Sequence, residues 1–203
     1  MASAQPERTL SESDLDPEPH RQFRTWFAEA RAAGAHMPDA MALATVGSDG
    51  LPALRMMLLE EVDERGFVFQ TNLESPKAQA LESTPAAALA FFWPYAVRQV
   101  RVTGSVERLG RDESAMYYAR NPSNIQAMLR ACRQSQVIPD RAELDRMYAE
   151  ALQAPDDGLP GHWGAYRLTV RTIEFWQGRQ NWLQDRLRYT RTPGGWRIER
   201  LVP

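Results

Sequence analysis

Cysteine and histidine are scarce in this sequence of 203 residues. The single cysteine, Cys132, has no partner for an internal disulfide. His20, His36 and His162 show no metal-ligand spacing with Cys132 or with each other. The residues therefore predict neither a disulfide-stabilised domain nor a metal centre.

Long apolar runs and an excess of one charge are lacking as well. No run approaches the roughly 20 apolar residues of a membrane-spanning helix, and the N-terminal stretch MASAQPERTLSESDLDPEP lacks the apolar segment of a signal peptide. Lysine and arginine total 24 against 26 acidic residues, which gives a formal net charge of −2 without a basic stripe. We therefore expect a cytoplasmic protein that binds neither membranes nor nucleic acid.

Motifs of several enzyme classes are also missing. The sequence contains no Gly-rich phosphate loop, no G-x-S-x-G nucleophile turn and no His-based metal motif. Hydrolase functions therefore have little support.

The composition is that of a soluble domain. A hydrophobic content of 43% and a charged content of 25% are sufficient for one sizeable core. Residues 1–17 are rich in Ser, Glu, Asp and Pro and predict a flexible tail that could order over a ligand. Residues 18–203 predict a single domain.

Apolar spacing near the start of that domain indicates a helix followed by a hairpin. Phe23, Trp26 and Phe27 recur at helical spacing, and Gly34 follows as a stop signal. The segments MALATV and LPALRMMLL flank a Gly-Ser-Asp-Gly turn at residues 47–50, which favours a hairpin. We expect both strands of this hairpin to be largely buried.

The segment SPKAQALE predicts a short helix with two open interpretations. Ser75 could cap this helix, and Pro76 suits its first position. Lys77 beside a helix N-terminus would form an anion site. The alternative is a capped surface helix with a solvated lysine, and the pattern alone favours this alternative.

The second half of the chain returns to strands after several helices. Val100, Val102 and Val106 alternate with polar residues, which is the period of a half-buried strand. Helical patterns cover about residues 112–119, 125–133 and 142–152, and strand-like segments follow in YRLTVRTIEFW, DRLRYTR and WRIERLVP. The sequence therefore predicts an α+β protein built on an antiparallel barrel.

Several segments together resemble the pyridoxine (pyridoxamine) 5′-phosphate oxidase family. The matching segments are LRMMLLEEVDERGFVFQTN, SPKAQALE, RQVRVTGSVERL, RQSQVI, IEFWQGRQNWLQDRLRY and WRIERLVP. The resemblance runs from about residue 17 to residue 203. It implies an antiparallel split β-barrel with peripheral helices, which forms a homodimer and binds FMN at the two-fold interface.

The resemblance also assigns cofactor contacts position by position. The residues at the family's FMN-binding positions are Arg55, Gln70, Thr71, Lys77, Gln99, Gln134, Ser135, Trp176 and Arg186. Arginine, lysine and hydroxyl groups suit the FMN phosphate, and glutamines suit the polar edge of the flavin. Arg186 could stabilise negative charge on the reduced ring.

The departures from the family fall mostly on its substrate positions. A lysine is replaced by Glu60, an arginine by Asn121, a serine by Ile125, and an R-L-H motif by Trp182, Leu183 and Gln184, whereas Tyr117 is retained. Pro76 replaces an arginine of the cofactor phosphate site. Because Glu60 would face the substrate phosphate, pyridoxamine phosphate is a poor fit. Trp182 favours a flat or apolar substrate instead.

These substitutions lead to one principal interpretation and three alternatives. The principal one is an FMN oxidoreductase that transfers hydride to or from a small aromatic or polycyclic substrate of the natural-product type, as in antibiotic biosynthesis. The alternatives are a reductase that uses an 8-hydroxy-5-deazaflavin coenzyme, a pyridoxamine 5′-phosphate oxidase, and a non-catalytic flavin-binding protein. The candidate catalytic residues are Glu60, Tyr117 and Arg186.

Overall fold

A computed structural model describes residues 9–203. Its helices are α1 (Pro19–Ala32), α2 (Pro76–Ser83), α3 (Arg111–Ala119), α4 (Ser123–Ala131) and α5 (Arg141–Gln153). Its strands are β1 (Ala40–Val46), β2 (Pro52–Leu58), β3 (Glu61–Asp63), β4 (Gly66–Asn72), β5 (Ala86–Trp93), β6 (Arg98–Arg108), β7 (Trp163–Gln177), β8 (Asp185–Thr192) and β9 (Gly195–Arg200). Short 3₁₀ turns cover Glu12–Asp14 and Pro94–Ala96. Within residues 9–203, the helices are all too short or too polar to cross a membrane.

The strands form one antiparallel sheet that curls into a half-barrel. The strand order is β2-β1-β5-β6-β7-β4-β3, and β8 pairs with both β7 and β9. The first half of β7 pairs with β4, and its second half pairs with β8. The α+β class and the antiparallel barrel architecture that the sequence predicts are therefore confirmed.

A β-bulge between Thr103 and Gly104 lets β6 bend against β7. A Cβ atom on Gly104 would lie 1.9 Å from the carbonyl oxygen of Thr169. Only glycine allows the two backbones to approach this closely.

Aromatic side chains fill the space between the sheet and α1. Phe23 of α1 packs edge-on against Phe67 and Phe91, with ring centroids 4.8 and 4.9 Å away. Trp26 makes a similar contact with Phe175 at 5.1 Å. The helix predicted from the spacing of these residues is thus confirmed, and truncating one such ring to alanine typically costs about 3–5 kcal/mol.

The hairpin of β1 and β2 forms as expected, but the expectation that β2 is buried is wrong. Leu54, Met56 and Leu58 of β2 are 71%, 66% and 45% exposed. β2 lies at one end of the strand order, so it has one neighbouring strand, and these alternate residues point away from the core. The residues of β1 that pair with them point to the same side of the sheet. We call this side the outer face of the sheet.

Residues 9–17 differ from the flexible tail expected over residues 1–17. Leu10 and Leu15 are buried in the main core. The backbone N–H of Leu10 donates to Asp185 at 3.0 Å, and the Tyr189 hydroxyl donates to the carbonyl oxygen of Asp16 at 2.6 Å. The prediction rested on the polar composition of the segment as a whole, whereas its two leucines are the residues that anchor it in the core. The remaining part of the predicted tail, residues 1–8, lies outside the described residues.

Candidate active site

Lys77 lies in the first turn of α2 and is buried, with 6% of its surface exposed. It is the only lysine in the sequence. Its Nζ donates to Ser75 Oγ at 3.1 Å and to Gln134 Oε1 at 2.6 Å, and no carboxylate of residues 9–203 forms an ion pair with it. Burial, and then the positive charge of Arg55, lower the pKa of Lys77 to about 8. The interpretation of Lys77 as a solvated surface lysine is therefore wrong.

Arg55 on β2 is the second cation of this cluster. Its Nη1 donates to the carbonyl oxygen of Leu43 at 3.0 Å and to Thr45 Oγ1 at 2.9 Å. Burial lowers the pKa of Arg55, and its bonds within the described chain are to neutral groups. Two neighbouring cations that lack a compensating negative charge favour binding of an anion.

The connection from β4 to α2 adds neutral donors to these cations. Thr71 Oγ1 is buried and finds no hydrogen-bond partner within residues 9–203. The Ser75 hydroxyl donates to the carbonyl oxygen of Asn72 at 2.6 Å and does not cap α2, which corrects the predicted capping role. The orphaned hydroxyl, the helix N-terminus and the two cations fit a phosphate dianion. We call Arg55, Thr71 and Lys77 the cation cluster.

A second set of candidate residues forms a row across three strands. Gln99 on β6 lies opposite Trp176 on β7, and Trp176 lies opposite Arg186 on β8. Directly paired residues of antiparallel strands point to the same face of a sheet. This polar row therefore places an amide, an indole and a guanidinium side by side, as a flat heteroaromatic ring requires.

Glu174 holds the arginine of the polar row. Arg186 Nε donates to Glu174 Oε1 at 2.8 Å, and Arg101 also pairs with this carboxylate. Burial acts to raise the pKa of Glu174, but hydrogen bonds from Arg186 and Arg101 outweigh it and lower the pKa. Two guanidinium groups on one carboxylate leave a net positive charge beside the row.

Two of the candidate substrate residues, Glu60 and Tyr117, meet at Gln70. The Gln70 side chain acts to lower the pKa of the neighbouring Glu60 carboxyl, and its Nε2 lies 3.3 Å from the carbonyl oxygen of Tyr117. Gln70 Oε1 accepts from Trp163 Nε1 at 2.9 Å, which fixes the orientation of the amide. Burial raises the pKa of Glu60 despite the opposing effect of Gln70. Glu60 is therefore placed to hold a proton near this end of the barrel.

Asn121 and Ile125 support the neighbouring helices. Asn121 Nδ2 donates to the carbonyl oxygens of Tyr117 and Tyr118, at 3.4 and 3.0 Å, and so closes the C-terminal end of α3. Ile125 packs against the small core cluster that contains Tyr118 and Leu129. Their assignment to substrate binding stays a prediction.

The last two candidate substrate residues lie in the loop between β7 and β8. Gln184 Oε1 accepts a 2.6 Å hydrogen bond from the backbone N–H of Arg179. Trp182 is 83% exposed and has a φ of +62°, which is unusual for a bulky residue.

Thr71 of the cation cluster and Trp176 of the polar row lie beside opposite ends of β7. Gln70 and Thr71 pair with Ala165 and Gly164 near its start, whereas Trp176 lies near its end. At about 3.3 Å per residue, roughly 35 Å of strand separates Ala165 from Trp176. Along this strand, Thr71 and Trp176 are therefore far apart.

Most of the chain matches one known protein family. Residues 27–154 match the family described as pyridoxamine 5′-phosphate oxidase. Residues 163–203 match the region described as the pyridoxine 5′-phosphate oxidase C-terminal dimerisation region. The chain belongs to the pyridoxamine 5′-phosphate oxidase family. The resemblance inferred from the sequence is therefore confirmed. The family binds flavin and consists of oxidoreductases.

Similar members of the family cover nearly the whole chain. The protein named pyridoxine/pyridoxamine 5′-phosphate oxidase in Burkholderia vietnamiensis is 46% identical over 200 residues, which are 96% of this chain and 94% of that protein. Pyridoxine/pyridoxamine 5′-phosphate oxidase 1 of Ralstonia nicotianae is 48% identical over 198 residues, which are 96% of this chain and 93% of that protein.

Two solved structures are similar to this chain in fold. PhzG from Burkholderia lata 383, in complex with tetrahydrophenazine-1-carboxylic acid, superposes with a TM-score of 0.91 at 30% identity and covers 97% of this chain and 98% of that one. An FMN-binding, pyridoxamine 5′-phosphate oxidase-related protein from Nostoc punctiforme has a TM-score of 0.73 at 19% identity, with 89% and 97% covered, and supports the fold alone. Neither these proteins nor the matched family supports a deazaflavin coenzyme.

Within this member of the pyridoxamine 5′-phosphate oxidase family, two supporting residues escape detection from the sequence. Glu174 is the one acidic residue of β7, and nothing in the local pattern indicates its pairing with Arg186. Trp163 begins β7, and nothing in its local sequence indicates a bond to Gln70. Ser135 has a φ of +70° and is exposed, and its predicted cofactor contact stays a prediction.

Proposed function

We propose that the protein is an FMN-dependent oxidoreductase whose FMN phosphate binds at the cation cluster. The observation that carries this proposal is the adjacent pair of Lys77 and Arg55, which lacks a carboxylate partner among the described residues. A dianion at this point would offset the cost of burying both cations. Bound FMN would supply a ring that takes up or gives up hydride at N5.

The chain's own residues would bind and tune that ring at the polar row. Gln99 offers a donor and an acceptor to its polar edge, and Trp176 provides an aromatic surface. The net positive charge that Arg101 and Arg186 leave around Glu174 favours negative charge on the neighbouring ring.

The two clusters would meet between two copies of the chain. The outer face is apolar over Leu54, Met56 and Leu58, and these residues lie opposite small alanines of β1. The same face continues across β5 and reaches the polar row at β6, where Phe92 lies opposite Gln99. A two-fold partner covering this face would set its polar row beside the cation cluster of the first chain. The match of residues 163–203 to a dimerisation region supports this arrangement.

The substrate we propose is a small aromatic or polycyclic molecule of the natural-product type. Glu60 disfavours a phosphate group where it meets Gln70 and Tyr117, because a second negative charge would raise the cost of burial further. Trp182 offers an exposed ring for stacking. The likeness to PhzG, which was solved with a tricyclic carboxylic acid, supports this substrate class. Glu60 and Tyr117 are the groups that could move a proton.

Pyridoxamine 5′-phosphate oxidase activity is the second candidate function. Identities of 46% and 48% with proteins of that name favour it. Direct assay separates the two, since the main proposal expects turnover of pyridoxamine phosphate at least about a hundredfold below that of a family oxidase, roughly 2.7 kcal/mol in the activation barrier. A comparable rate would reject the proposed substrate class and keep the flavin assignment.

The cofactor proposal is tested by identifying what co-purifies with the protein and by titrating the emptied protein. Absorbance and mass spectrometry should find FMN at one per chain, and titration should show tight binding of FMN. Tight binding of 8-hydroxy-5-deazaflavin coenzyme alone, or of neither compound, would reject FMN. Reduction of bound FMN by no member of an aromatic and polycyclic substrate panel would favour the non-catalytic alternative.

A further inference from the structure

We propose that Asp185 is a positioning residue that ties the N-terminal segment, residues 9–16, to the substrate loop, residues 178–184. The loop carries Trp182 and Gln184, so its relevance to substrate rests on the proposed function. The physical link between segment and loop does not depend on that function.

The Asp185 carboxylate is buried and uses both oxygens. Its side chain is 8% exposed. Oδ2 accepts from the backbone N–H of Leu10 at 3.0 Å and from Arg179 at 3.3 Å, and Oδ1 accepts from Arg200 at 2.9 Å. A buried carboxylate with three donors from distant parts of the chain holds those parts in one arrangement.

The N-terminal segment is held to the same group by independent contacts. Arg200 Nη2 donates to the carbonyl oxygen of Leu10 at 2.8 Å and to Glu12 at 3.0 Å. Arg179 Nη1 donates to Thr9 Oγ1 at 2.8 Å. Because Leu10 is itself buried in the core, the N-terminal segment is held in place against the rest of the fold.

The substrate loop meets Asp185 through Arg179. Arg179 contributes a backbone N–H to Gln184 and a side chain to Asp185, which pins both ends of the loop. At the tip of the loop, the backbone N–H of Trp182 donates to the carbonyl oxygen of Arg179 at 3.2 Å, while the Trp182 residue is 83% exposed. A bulky residue at positive φ persists where the surrounding structure determines it. The contacts of Asp185 with Arg179, Leu10 and Arg200 are part of that surrounding structure.

Hydrogen exchange of the full-length, FMN-loaded protein tests this link without any substrate. Asp185→Asn keeps the shape of the side chain but removes the charge that binds two arginines and an N–H. We expect amides of both residues 10–15 and 179–184 to exchange about tenfold faster or more, while the core of β7 stays protected. Arg197→Gln is the matched control, because Arg197 lies on the same strand as Arg200, is 61% exposed and pairs with the half-buried Glu199.

Arg200→Gln carries the test if the Asp185 variant does not fold, since Arg200 is 40% exposed and less costly to replace. Faster exchange in residues 10–15 together with unchanged exchange in residues 179–184 would overturn the proposal. So would unchanged exchange in both segments.

A binding measurement with phenazine-1-carboxylic acid as the probe then separates positioning from general damage. We expect Asp185→Asn to weaken probe binding about fivefold or more, with the FMN content of the protein unchanged. Unchanged probe affinity in a variant with a loosened loop would reject the positioning role. If Trp182→Ala leaves probe affinity unchanged, the substrate assignment of Trp182 fails, and the exchange result still decides the link.

Discussion

Lys77 combines burial, a lowered pKa and two neutral hydrogen-bond partners in the only lysine of the chain. A lysine in this state costs stability unless a ligand supplies negative charge. We therefore propose that Lys77 is a binding group and that a bound anion would offset the cost of its burial.

The lowered pKa of Lys77 predicts that FMN binding is linked to protonation of its amine. With lysine-selective ¹³C labelling, the single Lys77 signal should titrate near pH 8 without FMN and at least about one unit higher with FMN. FMN affinity should fall by up to about tenfold per pH unit above pH 8, because binding requires the protonated amine. A titration midpoint above 10 in the cofactor-free protein would contradict the account.

Replacing the lysine should separate stability from binding. Below pH 8 the native state holds the Lys77 proton less tightly than the unfolded chain does, so Lys77→Met should stabilise the cofactor-free protein by up to about 3 kcal/mol at pH 7. The advantage should shrink as the pH rises from 8 to 10.5, and FMN binding should be lost. Urea unfolding of the cofactor-free parent and variant at pH 7 and pH 10 measures the stability difference. A variant that is less stable than the parent at pH 7 would count against a buried, costly Lys77.

Glu60 should show the opposite pH pattern. Its folded pKa is raised by burial, so ionisation as the pH rises through that value costs stability. Glu60→Gln should therefore match the parent protein near pH 4 and exceed it at pH 8, with FMN binding retained and substrate turnover reduced. Thermal unfolding at the two pH values is the check, and a stability difference that does not vary with pH would exclude a buried, titrating Glu60.

At the level of elements, the sequence predicted what depends on local pattern. Helical spacing at Phe23 and Trp26, and alternation at Val100 and Val102, reflect burial against one sheet, and both predictions hold. The exposure of β2 was missed because an apolar edge strand has the same composition as a buried one. The anchorage by Leu10 and the pairing of Glu174 with Arg186 depend on contacts between segments far apart in the chain, which local pattern does not record.

The outer face of β2 offers a test at this scale. Met56→Arg should abolish self-association and with it most FMN binding, because a charge in the centre of a covered apolar face is costly to desolvate. Met116→Arg is the matched control, since Met116 is 61% exposed on α3. Analytical ultracentrifugation with flavin absorbance reports mass and loading together. A Met56→Arg protein with unchanged mass and full FMN would place the interface elsewhere.

At the scale of the whole molecule, the proposed flavin site depends on where its two groups of residues lie. Thr71 of the cation cluster pairs with the start of β7, whereas Trp176 of the polar row lies near its end, roughly 35 Å away along the strand. A single flavin can contact both when a second chain brings its polar row to the first chain's cation cluster. Binding and dimerisation would then be inseparable.

Complementation between two defective chains tests this shared site most directly. Lys77→Met and Trp176→Ala are each expected to lose FMN as homodimers, and refolding them together at equal amounts should produce heterodimers with one intact site. About a quarter of all sites should then bind FMN, as random pairing requires. No recovery in verified heterodimers, or full FMN binding by a monomer, would contradict the shared site.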